Sequence, residues 1–411
     1  MEIAAESSIS PRLFGLIQLY FVGSTFFSWL LYLASSQFST HLFSMKFETL
    51  TIHLGNGTHE SHGAVVQPIT LSTTFEHGNE GGMLYSRANN PNRHSLEQVL
   101  AAMEKGEDAA AFSSGNAAGT AVYQALAPGS HIVAPDDMYH GLHNSMVQLF
   151  AGIHEVTFVD MSNLEAVKNA IRPNTALFWV ESPSNPLLKV TDIREISALA
   201  KAQGAILACD NTFATPVFQN PIALGADIVM HSSTKYFGGH SDILGGALVT
   251  AKKDAFWEKI RNVQRIGGAV PSPTDCYYLT RSIRTLAYRM KGHASNAKAL
   301  AEFLVSHGQV EKVYYPGLVS HPNHAVAAQQ MHGFGGMVSF TVKGAAADAD
   351  RVLSKLRFFA NATSLGGVES LIERRAAVEG PNTTTPENLL RVSVGLEHID
   401  DLIEDMNQAL G

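Results

Sequence analysis

The chain has 411 residues, of which 45% are hydrophobic and 16% are charged. This composition excludes a disordered chain, and only two cysteines, Cys209 and Cys276, exclude a disulfide-stabilised scaffold. The formal charge of −8 comes with no stretch of three or more consecutive Lys or Arg residues, which argues against a nucleic-acid partner. Because few cysteines fit a reducing compartment, we expect a cytoplasmic protein.

The first 44 residues differ from the rest of the chain. Residues 13–34 form an apolar stretch without charge, long enough to cross a bilayer as a helix. The preceding residues include Glu2, Glu6 and only one arginine, Arg12, so the positive region of a secretory signal is missing. Three interpretations stay open: an upstream extension absent from the working protein, a membrane anchor, and a signal or transit segment. A membrane is therefore a partner only if residues 13–34 are an anchor.

Apolar strands alternate with helical patterns through the middle of the chain. We predict a helix over 95–105, capped near Asn92, and a turn at Ser113–Asn116 that opens into a helix ending at Pro128. Further predicted strands cover 131–135, 154–160, 175–182, 205–210 and 226–232, and predicted helices cover 141–150, 163–172 and 192–203. Short, wholly apolar strands suit a parallel sheet covered on both faces, so a doubly wound α/β domain is predicted.

The pattern changes near residue 281. Long helical runs are followed by a predicted strand within 334–342, a helix over 346–356, the segment 357–364, a strand within 389–397 and a final helix over 399–410. This order predicts a smaller α+β domain. The predicted organisation has four parts: an extension (1–44), an arm (45–94), a main domain (95–280) and a C-terminal domain (281–411).

Lys235 is the first candidate for chemistry. It follows the strand 226–232, and ligands of such sheets bind at the carboxyl ends of the strands. Most single lysines are solvated surface residues, but this one has aromatic and glycine-rich neighbours. Hydroxyl groups of Ser232 and Thr234 on the same loop can hold a phosphate. A desolvated lysine has a lowered pKa and can form a Schiff base.

Other candidates lie at the same predicted edge. Asp210 ends the strand 205–210; it is either a turn former or a carboxylate that keeps a pyridine nitrogen protonated, as pyridoxal phosphate (PLP) chemistry requires. The turn Ser113–Asn116 is a simple helix cap or a phosphate site. Tyr139 is a half-buried core residue or a ring that stacks on a flat ligand. Arg391 has apolar neighbours, and a buried arginine needs an anion.

A set of motifs in fixed order carries a family resemblance. They are Tyr85–Arg87 with Asn90-Pro91, Ser114-Gly115, Tyr139, Glu181–Pro186, Cys209–Thr212, Ser232–Tyr236, Leu365–Leu371 and Arg391–Glu397. From about residue 50 to 411 the chain resembles the Cys/Met-metabolism family of PLP enzymes, the transsulfuration group. The resemblance implies the PLP-dependent transferase fold type I, which is aspartate aminotransferase-like, with a mainly parallel sheet domain and a smaller α+β C-terminal domain.

The resemblance also implies roles for individual residues. Lys235 would be the Schiff-base lysine and proton shuttle, Asp210 would pair with the ring nitrogen, and Asn185 would lie near the ring hydroxyl. The phosphate would be held by Gly115, Asn116, Ser232 and Thr234, and Tyr139 would stack on the ring and take part in proton transfer. Tyr85 and Arg87 share one face of an extended arm, so both could reach the phosphate of a neighbouring subunit in a homotetramer built from dimers. The substrate would meet Arg391, through its planar fork, together with Ser364 and Glu369.

The family acts on small sulfur-containing amino acids, so the resemblance implies γ-replacement or γ-elimination on such substrates or on O-acylhomoserine, as in cystathionine γ-synthase and γ-lyase. The enzyme alternatives are a cystathionine β-lyase or a methionine γ-lyase, and the non-enzyme alternative is a membrane-tethered PLP-fold scaffold. After the matching tyrosine, methionine γ-lyases have glycine and then cysteine, whereas His140 and Gly141 follow Tyr139 in this chain, so that cysteine is missing. Residues 372–386 also lack the usual His-Ala/Pro-x-Met-Thr-His sequence.

Two charged features remain open. Arg374 and Arg375 either touch the carboxylate of a second substrate or form a solvated charged turn. His140 and His143 have a His-x-x-His spacing, but no Cys or Glu nearby completes a zinc ligand set, so we expect no metal.

Overall fold

The computed structural model of the protein describes residues 45–55, 63–379 and 383–411. The apolar stretch 13–34 lies outside the described residues, and its three interpretations stay open. Within the described ranges, no helix combines the length and the apolar character that a membrane crossing needs. Residues 51–411 belong to one unit, and the described residues before it hold the start of a short helix, α1 (Phe47–His53).

The first sheet positions the predicted site. Its strands are β1 (Asp108–Phe112), β2 (His131–Pro135), β3 (Glu155–Val159), β4 (Thr175–Glu181), β5 (Ile206–Asp210), β6 (Ile228–His231) and β7 (Gly246–Thr250). Their order in space is β1-β7-β6-β5-β4-β2-β3. The strands from β6 to β3 run parallel, whereas β7 runs antiparallel to both β6 and β1. The predicted, mainly parallel sheet is confirmed.

Helices cover both faces of this sheet. They are α2 (Pro91–Glu104), α3 (Gly115–Ala125), α4 (His140–Asn144), α5 (Leu164–Ala170), α6 (Ile193–Gln203), α7 (Thr215–Phe218), α8 (Pro221–Leu224), α9 (Ala255–Asn262) and α10 (Pro273–Ile283), with π-helical turns at Ser145–Leu149 and Val263–Gly267. In β2, Ile132 packs with α3 and α9 on one face, and Val133 packs with α5 and α6 on the other. Successive side chains of a strand therefore pack into two separate hydrophobic cores, one on each face of the sheet.

The start of α2 differs from the prediction. We expected a helix from residue 95 with a cap near Asn92, but the helix begins at Pro91 and Asn90 is its cap. The side chain of Asn90 accepts hydrogen bonds from the N–H groups of Asn92 and Arg93. Proline suits the first helical position because its missing N–H would be unpaired there. The side chain of Asn92 instead bonds to the backbone of the arm, at Thr70 and Pro68.

A second sheet follows in the C-terminal part. Its strands are β8 (Val310–Tyr314), β9 (Met337–Val342), β10 (Ala360–Asn361), β11 (Leu371–Arg374) and β12 (Leu389–Ser393), in the order β10-β11-β12-β9-β8. The helices of this part are α11 (Leu286–Ser306), α12 (His324–Gln330), α13 (Ala346–Lys355), α14 (Arg375–Glu379) and α15 (Ile399–Leu410). The pairs are antiparallel except β10 with β11, so the α+β prediction holds. The boundaries at 94/95 and 280/281 stay predictions.

Candidate active site

The carboxyl ends of β4, β5 and β6 bring the first candidate residues together. Glu181 ends β4, Asp210 ends β5, and Lys235 lies on the loop that follows β6. This loop is tied to its neighbours: the N–H of Ser232 donates to Thr212 Oγ1 over 2.9 Å, and the N–H of Gly245 donates to Thr234 Oγ1 over 3.0 Å. Asp210 and Lys235 therefore follow neighbouring parallel strands at the same edge of the sheet.

The Lys235 amine faces the second sheet. Its Nζ donates a hydrogen bond to Ser364 Oγ over 3.0 Å. Burial, with a further contribution from the positive charge of Arg391, lowers the pKa of Lys235 to about 8. A lysine with a pKa near neutrality supplies a substantial unprotonated fraction, which is the form that attacks an aldehyde or accepts a proton.

Gly366 lets the second sheet come this close. It has φ of +79°, and a Cβ built there would lie 2.7 Å from the backbone nitrogen of Tyr236. Its N–H donates to Ser393 Oγ over 2.8 Å, which anchors the 364–367 loop to β12. Only glycine fits this conformation and this spacing. The position of Ser364 beside the amine therefore depends on the absence of a side chain at residue 366.

Asp210 and Glu181 form a buried pair of carboxylates. They are register partners on adjacent strands, and their exposed fractions are 6% and 4%. Asp210 accepts the N–H of Thr212 over 2.9 Å, and Glu181 accepts the N–H of Tyr139 over 2.8 Å. Burial raises the pKa of Asp210, and burial together with the charge of Asp210 raises the pKa of Glu181 well above its usual range.

This pair fits a cationic ring nitrogen. Among the described residues, neither carboxylate is ion-paired with a lysine or an arginine. The nearby Tyr123 Oη and Trp179 Nε1 are buried and have no hydrogen-bond partner within the described residues. A buried carboxylate without a cation is unfavourable, so a protonated pyridine nitrogen at Asp210 would relieve the cost.

The predicted phosphate residues also lie together. Ser114 caps α3 and its side chain accepts the N–H of Ala117, so Gly115 and Asn116 are in the first turn. A Cβ on Gly115 would lie 2.9 Å from Ser232 Oγ, so the first turn of the helix packs directly against the lysine loop. Helix N–H groups and a hydroxyl side by side are suited to a phosphate.

Tyr139 lies at the N-terminus of α4, just beyond β2. It is 39% exposed, and its ring packs closely over Gly141, whose Cβ would come within 2.5 Å of the ring. Its backbone N–H bonds to Glu181, so the position of the tyrosine is fixed by the buried carboxylate pair. Glu181 belongs to the Glu181–Pro186 motif, but the sequence analysis assigned it no role in the site. Its place at a strand end was the signal that could have singled it out.

Arg391 lies on β12 and is 4% exposed. Its Nη1 donates to Asn185 Oδ1 over 2.9 Å, and its Nη2 donates to the carbonyl of Ser364 over 3.2 Å and to the carboxylate of Glu373. Burial lowers the pKa of Arg391 to about 10, although Glu373 opposes this effect. Arg391 therefore contacts Ser364, which was expected near the substrate, and Asn185, which was expected near the ring hydroxyl of the coenzyme. Lys235 also contacts Ser364.

Glu369 lies on the loop before β11. Its carboxylate accepts a hydrogen bond from Ser241 Oγ, and its side chain is partly exposed. The contact joins the loop after Lys235 to the loop before β11. Glu369 is therefore connected to the same two segments as the lysine and Ser364, but by a separate hydrogen bond.

The arm residues Tyr85 and Arg87 have a different environment. Tyr85 is 46% exposed, and the Arg87 guanidinium lies 5.8 Å from the centroid of the Tyr85 ring. Arg87 Nη1 donates to the carbonyl of Arg265. Within the described part of the chain, these contacts do not link either residue to Ser232 or Gly115. Both side chains are exposed, as a role in another subunit requires.

The two arginines of the atypical segment have opposite environments. Arg374, whose side chain is 20% exposed, bonds over 2.7 Å to Asp350, which is 52% exposed. Arg375 is only 3% exposed and pairs with both Glu373 and Glu379, so the alternative of a solvated turn is wrong for this residue. Its burial could not be inferred from the sequence, because it depends on carboxylates brought close by β11 and α14.

Within the described ranges, no group of three or more His, Cys, Asp or Glu residues is arranged to hold a metal ion. His140 and His143 stack with ring centroids 6.0 Å apart, and His143 also packs on Phe158. The two histidines are therefore accounted for by ring packing beside Tyr139.

The fold and the site define an α/β protein in which a lysine of lowered pKa and a buried carboxylate lie at the carboxyl ends of adjacent strands, an arrangement suited to PLP. The family model for Cys/Met metabolism PLP-dependent enzymes matches residues 48–411, and the chain belongs to that family. The protein is therefore a PLP-dependent enzyme of Cys/Met metabolism, and the expected fold class and cofactor are confirmed.

Named relatives agree with this assignment. Cystathionine γ-synthase of Mycobacterium tuberculosis is 47% identical over 374 residues, covering 88% of this chain and 96% of the relative. Cystathionine γ-lyase of Dictyostelium discoideum is 43% identical over 378 residues, covering 89% and 97%. The crystal structure of metB from Corynebacterium glutamicum superposes with a TM-score of 0.87 at 42% identity, covering 90% of this chain and 98% of that one.

Proposed function

We propose that the enzyme catalyses γ-replacement or γ-elimination on a sulfur amino acid or an O-acylhomoserine, as cystathionine γ-synthase or γ-lyase does. The observation that carries the proposal is the contact of the Lys235 amine with Ser364, which in turn bonds through its carbonyl to Arg391. The proposed base, Lys235, and the proposed carboxylate-binding cation, Arg391, thus contact the same residue, Ser364. An α-amino acid held at Arg391 would present its α carbon to Lys235.

The residues proposed to hold the coenzyme are those that the family resemblance implies. Asp210 would hold the protonated ring nitrogen, Asn185 would lie at the ring hydroxyl, and Tyr139 would stack on the ring. The phosphate would be held by Gly115, Asn116, Ser232 and Thr234. When bound, PLP supplies an electron sink that stabilises negative charge on the substrate carbons.

The chain itself orients the substrate and moves protons. Arg391 binds the α-carboxylate through N–H groups that are not used by Asn185, Ser364 or Glu373. Lys235 would hold the coenzyme through its amine, and its Nζ would take the α proton of the bound substrate. Because its pKa is about 8, Nζ can both accept and return a proton near neutral pH. Tyr139 would assist proton transfer, and Glu369, on the loop before β11, would contact the substrate.

The active unit is proposed to be a dimer within a cytoplasmic homotetramer. The arm has exposed apolar residues, with Val65 at 72%, Leu71 at 68% and Leu84 at 54%. Exposed apolar side chains along an extended segment are typical of a surface that another chain covers. Tyr85 and Arg87 lie on the same arm, and they would complete the phosphate site of the neighbouring subunit. Both cysteines are buried free thiols, which is compatible with a reducing compartment.

Covalent trapping tests the central lysine. The purified protein, loaded with PLP, should absorb in the visible range, and borohydride should fix a pyridoxyl group on the peptide that carries Lys235. Lys235→Ala should lose both signals, whereas Lys189→Ala, which removes a lysine tied to Asp136 and Asp160, should keep them. A colourless wild type in excess PLP, or an adduct on another lysine, would overturn the proposal and favour the scaffold alternative.

Substrate assays separate the reactions. O-succinylhomoserine with cysteine should give cystathionine if the enzyme is a γ-synthase, and cystathionine should give cysteine and 2-oxobutyrate if it is a γ-lyase. Pyruvate from cystathionine would identify a β-lyase instead, and methanethiol from methionine would identify a methionine γ-lyase.

A further inference from the structure

Two buried arginines share one carboxylate oxygen beside the substrate site. Glu373 Oε1 accepts a hydrogen bond from Arg391 Nη2 and another, over 3.1 Å, from Arg375 Nη1. The three side chains are each 3–4% exposed. Glu373 and Arg391 are also direct register partners on the antiparallel strands β11 and β12, so the contact is built into the sheet.

The remaining groups of the cluster are also paired. Glu373 Oε2 accepts Thr363 Oγ1 over 2.7 Å, and Arg375 Nε donates to Glu379 over 2.8 Å. Glu379 is held in turn by the hydroxyls of Thr383 and Thr385, at 2.6 and 2.7 Å. The contacts therefore run in one line, from Arg391 through Glu373 and Arg375 to Glu379, and the far end is tied down by neutral donors.

This order has a consequence for the charge that a substrate meets. A buried Arg391 paired with Glu373 alone would be a closed ion pair, and an incoming carboxylate would face little net positive charge. Because Arg375 also donates a hydrogen bond to Glu373 Oε1, two cations share the negative charge of Glu373. Arg391 Nε and its second Nη1 hydrogen have no acceptor within the described residues, so they remain for a ligand.

We propose that Arg375 is a positioning residue that neutralises Glu373, so that Arg391 keeps its positive charge for the α-carboxylate of the substrate. The inference rests on the proposed function, since it takes the α-carboxylate as the ligand of Arg391. It assigns a task to a segment, residues 372–386, in which this chain departs from the usual family sequence. Arg375 acts through Glu373 and does not itself touch the substrate.

Equilibrium binding to the PLP-loaded enzyme tests this inference. Glycine and methylamine differ by a carboxylate, and both change the visible absorption of the bound coenzyme, so their Kd values report carboxylate recognition. Arg375→Met should raise the Kd of glycine about tenfold and leave that of methylamine unchanged. Adding Glu373→Gln to that variant should return the glycine Kd to within about threefold of the wild type, because the negative charge that competes with glycine for Arg391 is gone.

Further variants distinguish charge balance from simple structural support. Arg375→Lys should keep most of the glycine affinity, and Glu373→Gln alone should bind glycine at least as tightly as the wild type. Arg374→Met, the matched surface neighbour, should change neither Kd. With the true substrate, Arg375→Met should raise KM while kcat stays within about twofold.

Three results would overturn the inference: a double variant no better than Arg375→Met, an equal loss of glycine and methylamine affinity, or a fall in kcat at constant KM. If the wild type itself bound glycine no more tightly than methylamine, the carboxylate role of Arg391 would fail, and with it the proposed function. If Arg375→Met did not fold, Glu373→Gln and the double variant would still decide, because tightened or restored glycine binding is expected only from charge balance.

Discussion

The two sides of the site handle buried charge in opposite ways. On the strand-end side, Asp210 and Glu181 lie next to each other with backbone N–H groups as their partners. On the substrate side, Arg391 and Arg375 alternate with carboxylates in a continuous line of ion pairs. The first arrangement is incomplete until a cation arrives, whereas the second is nearly balanced and leaves only a few donors for an anion. The contrast teaches that one side of a pocket can favour a cationic group of a ligand while the other side favours an anionic group.

The largest effect should come from removing the anion on the strand-end side. Asp210→Ala should lower kcat/KM at least about a hundredfold, because a buried ionic partner is worth about 3 kcal/mol or more. Steady-state assays of the PLP-loaded variant, with coenzyme content measured by absorption, check this. Asp210→Asn keeps the size and the Thr212 contact but not the charge, and its activity should be nearly as low. Wild-type activity in Asp210→Asn would contradict a role for the charge.

The next effect concerns the loop that joins the two sides. Asp137 accepts hydrogen bonds from Ser184 Oγ and from the N–H of Leu187, and it thereby holds the segment that carries Asn185. Burial raises the pKa of Asp137 to about 6, above its usual value of 3.8. The folded state thus holds the proton more tightly, and the free energy of unfolding should fall by about 3 kcal/mol as pH rises from about 4 to above 6.

Asp137→Asn should remove this part of the pH dependence, since asparagine can accept the same two hydrogen bonds without a charge. Unfolding temperatures of wild type and variant, measured at pH 4.5 and pH 7.5, provide the comparison. At pH 7.5 the unfolding temperature of the variant should be higher, relative to that of the wild type, than it is at pH 4.5. If the unfolding temperatures of variant and wild type differed by the same amount at both pH values, the pKa of Asp137 would not be raised in the folded protein.

A smaller effect distinguishes the two carboxylates of the strand-end pair. Burial, together with the charge of Asp210, raises the pKa of Glu181 well above its usual range, which favours the protonated acid. Glu181→Gln, which mimics the neutral acid and still accepts the Tyr139 N–H, should retain kcat/KM within about threefold. Glu181→Ala leaves that N–H without its partner and should lose about tenfold or more. Equal losses in both variants would indicate that Glu181 acts as an anion.

The smallest effect is expected on the surface beside the substrate side. Arg374 pairs with Asp350, which is 52% exposed, and such pairs contribute about 0.5 kcal/mol or less. Arg374→Ala should leave both the unfolding temperature and the KM for cysteine unchanged. A raised KM for cysteine would instead support contact with a second substrate, the hypothesis drawn from the sequence.

The sequence predicted the parts of the site that depend on strand ends. Lys235 and Asp210 follow apolar runs, so their convergence is a consequence of a parallel sheet. The strand β1 was not predicted, because three of its five residues are alanine, which carries little β signal. The strand β7 was also missed, although Val249 and Thr250 favour a strand. The line through Glu373 and Arg375 was also missed, since it depends on the register of β11 against β12 and on a short helix that no motif marked.

Gly366 sets a limit on how the enzyme can be altered. The lysine loop and the second sheet touch at a point where even a methyl group would meet the backbone of Tyr236. An alanine there should push these two segments apart, so that one small substrate could no longer contact both the Lys235 amine and the Arg391 guanidinium, as we propose. Attempts to widen the pocket for bulkier substrates should therefore begin at other residues, because position 366 tolerates no side chain, however small.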